Sequence, residues 1–221
     1  MPVSWSDVLG RAQALAGGAS RRILGIAGAP GAGKSTLARR LVDAVGATAV
    51  LIGMDGYHLA QAELERLGRA ERKGAPDTFD AAGYVALLRR LRTSDAGTVY
   101  APEFRRAIEE PIAGAVAVPP GVSLVVTEGN YLLLDSEPWS AIRALLDEVW
   151  FLAPDEDTRR GWLTARHCRY GRTPAQAAER TTGSDERNAR LVAPTAHRAD
   201  LILDPTQWLP PGMETYRGFR H

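Results

Sequence analysis

The chain has 221 residues, of which 45% are hydrophobic, and this suits one large α/β domain over residues 1–221. Its 27 basic and 26 acidic residues nearly balance, so the composition gives no whole-chain signal for a nucleic-acid or membrane partner. The single cysteine, Cys168, excludes an intrachain disulfide and a cysteine zinc cluster. No apolar run approaches the roughly 20 residues of a membrane span and no signal-peptide pattern opens the chain, so we expect a soluble, cytoplasmic protein.

Helical and strand patterns alternate along the first half of the chain. Apolar positions recur at helical spacing in three segments, and two short apolar runs have the character of buried parallel strands. The polar segment 59–75 is expected to be a mobile excursion. The predicted elements are a helix over 6–16, a strand over 23–27, a helix over 36–45, a strand over 49–54 and a helix over 81–92 that Asp80 caps.

The second half continues the alternation after a segment rich in charge and proline. Two short β-like pieces, 98–100 and 115–118, bracket residues 101–114, and we expect a hairpin-like flap over about 98–118. The remaining predictions are strands over 122–127, 148–152 and 200–203, helices over 137–146, 155–167 and 174–191, and an irregular tail from residue 205. Strands that alternate with helices predict a mostly parallel sheet with helices on both faces.

The strongest motif lies between the first predicted strand and the helix after it. It fits G-x-x-x-x-G-K-[ST] at every fixed position, in the strand–turn–helix context that a phosphate-binding loop requires. Glycines let backbone N–H groups converge on phosphate oxygens, the lysine reaches the β- and γ-phosphates, and the hydroxyl is placed for Mg²⁺. The predicted nucleotide-binding residues are Gly28, Ala29, Pro30, Gly31, Ala32, Gly33, Lys34, Ser35 and Thr36.

Two acidic residues follow predicted strands, where open α/β sheets bind their ligands. Asp55 comes directly after the strand 49–54, and a carboxylate there is placed to accept the proton of an attacking hydroxyl. Glu128 follows the strand 122–127 and is a candidate ligand of Mg²⁺, directly or through water. In each case the alternative is a carboxylate that only caps a turn.

Arginines are dense in the helix 155–167 and the loop after it, at Arg159, Arg160, Arg166, Arg169 and Arg172. Mobile arginines can close over phosphates and stabilise transition-state charge, so we expect a lid over about 155–175. A solvated helix face is the alternative. Arg166 and Arg169 are the preferred catalytic candidates, because they lie where the helix gives way to the loop. Further candidates for an acceptor pocket are Tyr57, His58, Lys73, Tyr100 and Arg106.

The ordered tracts GxxGxGKST, MDGYH, RKGAPDTFD and TEGNYLLLD, followed by the arginine-rich helix, resemble the superfamily of uridine kinase, phosphoribulokinase and bacterial pantothenate kinase. The likeness covers about residues 23–203 and is closest to the nucleoside/nucleotide kinase-like or fructose-transport-system kinase branch. It implies a three-layer P-loop kinase fold with a mobile lid, with ATP and Mg²⁺ as cofactors and a small-molecule hydroxyl as acceptor. We also expect a homodimer.

Carried over residue by residue, the resemblance implies that 28–36 binds the triphosphate, Asp55 is the base and Glu128 belongs to the Mg²⁺ site. Tyr100 and Arg106 would face the acceptor. Two tracts differ from relatives: this chain has Asp55-Gly56-Tyr57-His58 where uridine kinases usually read D-S-F-Y, and Arg105-Arg106 where the closest branch often has Asp-Arg. A nucleotide switch or hydrolase, and a nucleotide-binding regulator without an acceptor pocket, are the alternative functions.

Overall fold

The computed structural model describes residues 3–93 and 97–208 and has a five-stranded parallel sheet at its centre, in the order β2-β5-β1-β6-β7. The predicted core strands are confirmed, with ends that shift by one or two residues. The strands are β1 (Arg22–Gly28), β2 (Ala49–Gly53), β3 (Val99–Arg105), β4 (Glu110–Val118), β5 (Leu124–Gly129), β6 (Glu148–Leu152) and β7 (Leu201–Leu203).

Helices cover both faces of the sheet, as the sequence predicts. Along β1, Leu24 and Ile26 face a core that includes α1 and α2, whereas Ile23 and Ala27 face a second core that includes α4. This alternation is the two-residue period of a strand buried on both sides. The helices are α1 (Trp5–Ala16), α2 (Lys34–Val45), α3 (Gln61–Arg66), α4 (Ala81–Thr93), α5 (Glu156–Arg169), α6 (Pro174–Arg180) and α7 (Glu186–Val192).

Two sequence predictions need correction. The segment 59–75 contains α3 and is tied down, since Gln61 N donates to Glu110 at 2.9 Å and Arg69 donates to the Asp77 carbonyl at 2.7 Å. The predicted helix 137–146 is instead two 3₁₀ turns, Trp139–Ala141 and Arg143–Leu145.

The helix predicted over 174–191 is confirmed as a helical run over 174–192, with one local change. The chain forms α6 and α7 with one π-helical turn, Thr181–Asp185, between them. The tail prediction is only partly covered, because Pro205–Gln207 forms a 3₁₀ turn and residues 209–221 lie outside the described residues. Over the described part of the chain, no helix is both long and apolar enough to cross a membrane.

The predicted flap is an antiparallel hairpin of β3 and β4, longer than the sequence suggested. It packs on the 3₁₀ turn Met54–Tyr57 that follows β2, so closely that a Cβ at Gly56 would lie 2.5 Å from the carbonyl oxygen of Pro102. Glycine at this position therefore allows the hairpin to sit directly beside Asp55.

We expect Gly56→Ala to lower the free energy of unfolding by about 1–3 kcal/mol, because the new methyl group collides with backbone that cannot rotate away. Gly10→Ala is the matched control: it lies in α1 with open space around it and should raise stability by about 0.5–1 kcal/mol. Denaturant unfolding of both variants measures the difference. Equal stabilities would show that the hairpin does not pack against the turn.

Candidate active site

The carboxyl ends of β1, β2 and β5 lie at one edge of the sheet. The register in which these strands pair determines which of the loops that follow them face each other. Gly53 pairs with Glu128, and Ala27 pairs with Gly129. The nucleotide-binding loop, the turn that carries Asp55, and Glu128 therefore lie together. They line one cavity of about 770 Å³, whose wall also includes the β3–β4 hairpin and residues from α5 to α7.

The loop 28–36 has the geometry of an anion-binding nest. Gly31 and Gly33 have positive φ values of 84° and 88°, and a Cβ at Gly31 would lie 2.8 Å from the Arg159 carbonyl oxygen. Gly33 caps α2 without any side-chain hydrogen bond. The N–H groups of the first turn of α2, with the positive end of the helix dipole, are thus available to an anion.

Lys34 is buried, and its Nζ donates to the Ala29 carbonyl at 2.9 Å and to Asn130 Oδ1 at 2.8 Å. Burial disfavours the charged ammonium and lowers the pKa of Lys34 to about 8. Asn130 is a site residue that the sequence analysis did not select. The signal for it was its position two residues after Glu128, at the end of the same strand.

The hydroxyl of Ser35 donates to Glu128 Oε1 at 2.9 Å. Burial and the charge of Asp55 raise the pKa of Glu128. A hydroxyl and a carboxylate side by side are oxygen ligands of the kind that Mg²⁺ accepts, with phosphate and water in its other positions. The described residues hold no cluster of three histidine, cysteine or acidic side chains that could bind a metal alone. The pair fits Mg²⁺ that arrives with a nucleotide.

Asp55 lies on the turn after β2 and points toward the hairpin. Its Oδ2 accepts a hydrogen bond from Arg106 Nη2 at 3.0 Å. Burial raises the pKa of Asp55, but the charges of His58, Arg106, Arg166 and Lys34 outweigh burial and hold that pKa below its usual value. The carboxylate is therefore ionised at neutral pH.

His58 stacks between two aromatic rings in the cavity wall. The centroid of its ring lies 4.0 Å from that of Phe79 and 4.7 Å from that of Phe104, and its Nδ1 is 2.8 Å from the Asp55 carbonyl oxygen. Lys73 lines the same region, where its Nζ donates to the Glu109 carbonyl at 2.6 Å.

Two of the predicted acceptor residues do not line the cavity. The ring of Tyr57 packs against Tyr84 with their centroids 5.2 Å apart, and burial raises the pKa of Tyr57 to about 12. Tyr100 lies on β3 with 58% of its surface exposed. Only His58, Lys73 and Arg106 of this group are brought to the cavity together with Asp55.

The arginines of α5 divide into two sets that the sequence could not separate. Arg166 and Arg169 line the cavity, and the charge of Arg166 acts on both Lys34 and Asp55. Arg159 is 1% exposed and instead supports the loop, since its Nη1 donates to the Pro30 carbonyl at 2.9 Å. Glu156 and Glu186 pair with the same guanidinium.

Comparison with known proteins agrees with this geometry. Residues 23–208 match the Phosphoribulokinase / Uridine kinase family. The chain belongs to this family. It is accordingly a P-loop kinase, an enzyme that transfers phosphate to a hydroxyl group.

Individual relatives extend the likeness over most of the chain. "Putative uridine kinase C227.14" of Schizosaccharomyces pombe is 34% identical over 211 residues, which cover 90% of each chain. The "ATP-dependent kinase-like protein notR'" of Aspergillus versicolor is 41% identical over 145 residues, 62% of this chain and 84% of that protein. The crystal structure of a "putative fructose transport system kinase" from Silicibacter sp. TM1040 superposes with a TM-score of 0.78, at 34% identity, over 86% of this chain and 98% of that one.

We expect Arg159→Met to destabilise this kinase by about 2 kcal/mol, because it removes a buried charge that pairs with two carboxylates. It should also weaken nucleotide binding, since the Pro30 carbonyl loses its donor. Denaturant unfolding and titration with a fluorescent ATP analogue measure the two effects. Arg160→Met is the control, because Arg160 is 43% exposed and pairs with the same glutamates without touching the loop. Identical nucleotide affinities in the two variants would contradict the support role of Arg159.

Proposed function

We propose that the protein transfers the γ-phosphate of Mg-ATP to a hydroxyl group of a small metabolite, such as a sugar, a nucleoside or a pantothenate-like compound. One observation carries the proposal: an ionised carboxylate, Asp55, faces the same cavity as the phosphate-binding loop and the Ser35–Glu128 pair. Beyond the loop, the same cavity extends along the β3–β4 hairpin, which gives an acceptor a place to bind beside this carboxylate.

In the donor half, the N–H groups of the loop 28–36 and Lys34 would bind the β- and γ-phosphates of ATP. Ser35 and Glu128 would hold Mg²⁺, which neutralises charge that develops on the phosphate oxygens. Arg166 and Arg169 would add positive charge around the transferring group and exclude water when the segment 155–175 closes as a lid.

In the acceptor half, Asp55 would orient the attacking hydroxyl and accept its proton, while the γ-phosphoryl group passes in line to the oxygen. The charges of His58 and Arg106 lower the pKa of Asp55 and keep its carboxylate ionised, as a proton acceptor must be. His58, Lys73 and Arg106 would contact the acceptor, with the 98–118 hairpin as a flap over it. Contacts from Tyr57 and Tyr100 would require the hairpin and turn to rearrange.

The test of function is release of ADP from Mg-ATP with a panel of sugars, sugar phosphates, nucleosides and pantothenate. Stimulation by one class of acceptor would name the substrate. Vigorous ATP hydrolysis without any acceptor would favour an NTPase, and tight ATP binding without stimulation would favour a nucleotide-binding regulator. The homodimer and the cytoplasmic location expected from the sequence stay predictions.

We expect Asp55→Asn to bind ATP as the unmodified protein does and to lose about 10²–10⁴-fold in kcat, because the amide keeps the size of the side chain but cannot accept the proton. Steady-state kinetics and nucleotide titration separate the two effects. Normal turnover in this variant would remove Asp55 from the role of base.

We expect Ser35→Ala to raise the Mg²⁺ concentration needed for half-maximal activity by about tenfold, since one oxygen ligand of the metal is lost. Thr206→Ala is the control, because its hydroxyl lies outside the cavity and donates to Asp204. An unchanged Mg²⁺ dependence in Ser35→Ala would place the metal away from this hydroxyl.

A further inference from the structure

The acceptor half of the cavity carries two cationic side chains with no carboxylate within 4 Å, judged over residues 3–93 and 97–208. They are Lys73 and Arg180. Two acidic groups of the cavity are engaged elsewhere: Asp55 pairs with Arg106 at 3.0 Å, and Asp185 accepts from His167 at 2.7 Å. Glu103 and Glu109 also line the cavity, and neither forms an ion pair with Lys73 or Arg180 in the described residues. Lys73 and Arg180 therefore present two cations, neither of them in an ion pair with a described residue, on one wall of the pocket.

Within the described part of the chain, Lys73 is hydrogen-bonded to two neutral groups. Its Nζ donates to the Glu109 carbonyl at 2.6 Å and lies 3.4 Å from Gln61 Oε1. It also lies 5.7 Å from the centre of the Phe104 ring, which stacks on His58 beside Asp55. The ammonium group of Lys73 thus lies at the acceptor end of the cavity. Its hydrogen bonds go to the β3–β4 hairpin and to α3, and not to the phosphate-binding loop.

Arg180 holds the backbone that carries Lys73. Its Nη2 donates to the Lys73 carbonyl at 3.0 Å, and its buried Nε has no hydrogen-bond partner among the described residues. The next residue of this loop is held as well, since Tyr131 and Asn188 both donate to the Gly74 carbonyl. Turning the Lys73 backbone toward solvent would therefore break these three hydrogen bonds.

The π-helical turn Thr181–Asp185 explains how this wall forms. A π turn is wider than an α turn and brings residues five apart onto one side, so Arg180 and Asp185 both line the cavity. Turns of this kind occur frequently at functional sites. Here the Asp185 carboxylate accepts a hydrogen bond from His167. It does not pair with Arg180, although both residues line the cavity.

We propose that the acceptor substrate of this kinase bears an anionic group, a phosphate or a carboxylate, and that Lys73 and Arg180 form its binding site. The inference rests on the proposed kinase function. A neutral sugar or nucleoside would leave both cations facing it without a counter-charge, whereas an anion would receive charge-assisted hydrogen bonds. ATP is not the expected occupant, because its phosphates belong to the loop and Lys34 at the other end of the cavity.

The first experiment measures anion binding without knowledge of the acceptor. The protein is saturated with Mg²⁺ and a non-hydrolysable ATP analogue, then titrated by calorimetry with inorganic phosphate and, separately, with acetate. We expect saturable binding of one anion, and which one binds distinguishes a phosphate from a carboxylate group. Lys73→Met and Arg180→Met should each weaken this binding by about tenfold or more, and Lys73→Arg should restore most of it.

Arg66→Met is the matched control, since Arg66 lies on α3, pairs with Glu63 and is 68% exposed outside the cavity. It should bind the anion as the unmodified protein does. If neither anion binds while the ATP analogue does, or if Lys73→Met and Arg180→Met bind as tightly as the control, the anionic site is refuted and the kinase proposal stands. Failure to bind the ATP analogue would instead contradict the proposed function.

The second experiment compares acceptors that differ only in the charged group: fructose with fructose 6-phosphate, uridine with uridine 5′-phosphate, and pantothenate with pantothenol. We expect kcat/KM to be at least about tenfold higher for the anionic member of the pair that is used, with Lys73→Met raising KM for that member and leaving KM for ATP unchanged. A preference for the neutral member would overturn the inference.

Discussion

The parallel pairing of β1 with β5 on one side and β6 on the other is the constraint on which the site depends. Gly28 ends β1 opposite Leu152, and a Cβ at Gly28 would lie 2.8 Å from the Leu152 carbonyl oxygen. The phosphate-binding loop therefore leaves the sheet at a fixed place, against β6. On the other side, the register of β5 sets Glu128 within hydrogen-bond distance of Ser35. Shifting either strand by one residue would turn these side chains to the opposite face.

The charged side chains of the cavity have different surroundings at its donor end and at its acceptor end. Lys34 is held by a carbonyl and an amide oxygen, so its charge stays available to phosphate. Asp55 is ionised because cations surround it, whereas burial and, after it, the charge of Asp55 raise the pKa of Glu128 and make it the more easily protonated of the two acids. Different environments thus give two neighbouring carboxylates different chemistry, as an acid–base mechanism with a separate metal ligand requires.

Local sequence patterns predicted the phosphate-binding loop and the strand before it. They failed where the structure depends on contacts between distant parts of the chain or where two helix types share one spacing. The loop 28–36 and the strand that precedes it are specified by consecutive residues, so both were predicted. The helix expected over 137–146 was wrong because Trp139, Ile142 and Leu145 fit the spacing of successive 3₁₀ turns as well as that of an α-helix. Ile142 N bonds to the Trp139 carbonyl, and Leu145 N to the Ile142 carbonyl. Periodicity alone cannot separate these two cases.

The arginines give the clearest example of what sequence alone leaves open. Arg159 and Arg166 are seven residues apart on one helix, and both looked like lid residues, but Arg159 is buried under Pro30 while Arg166 lines the cavity. Arg159 makes contacts with distant parts of the chain, since it donates to the Pro30 carbonyl, 129 residues earlier, and to Glu186, 27 residues later. Lys73 and Arg180 are separated by 107 residues and become neighbours only because α6 and the π turn pack on the loop after α3. Contacts between residues so far apart in the chain follow from how the helices pack, and no local pattern of the sequence contains them.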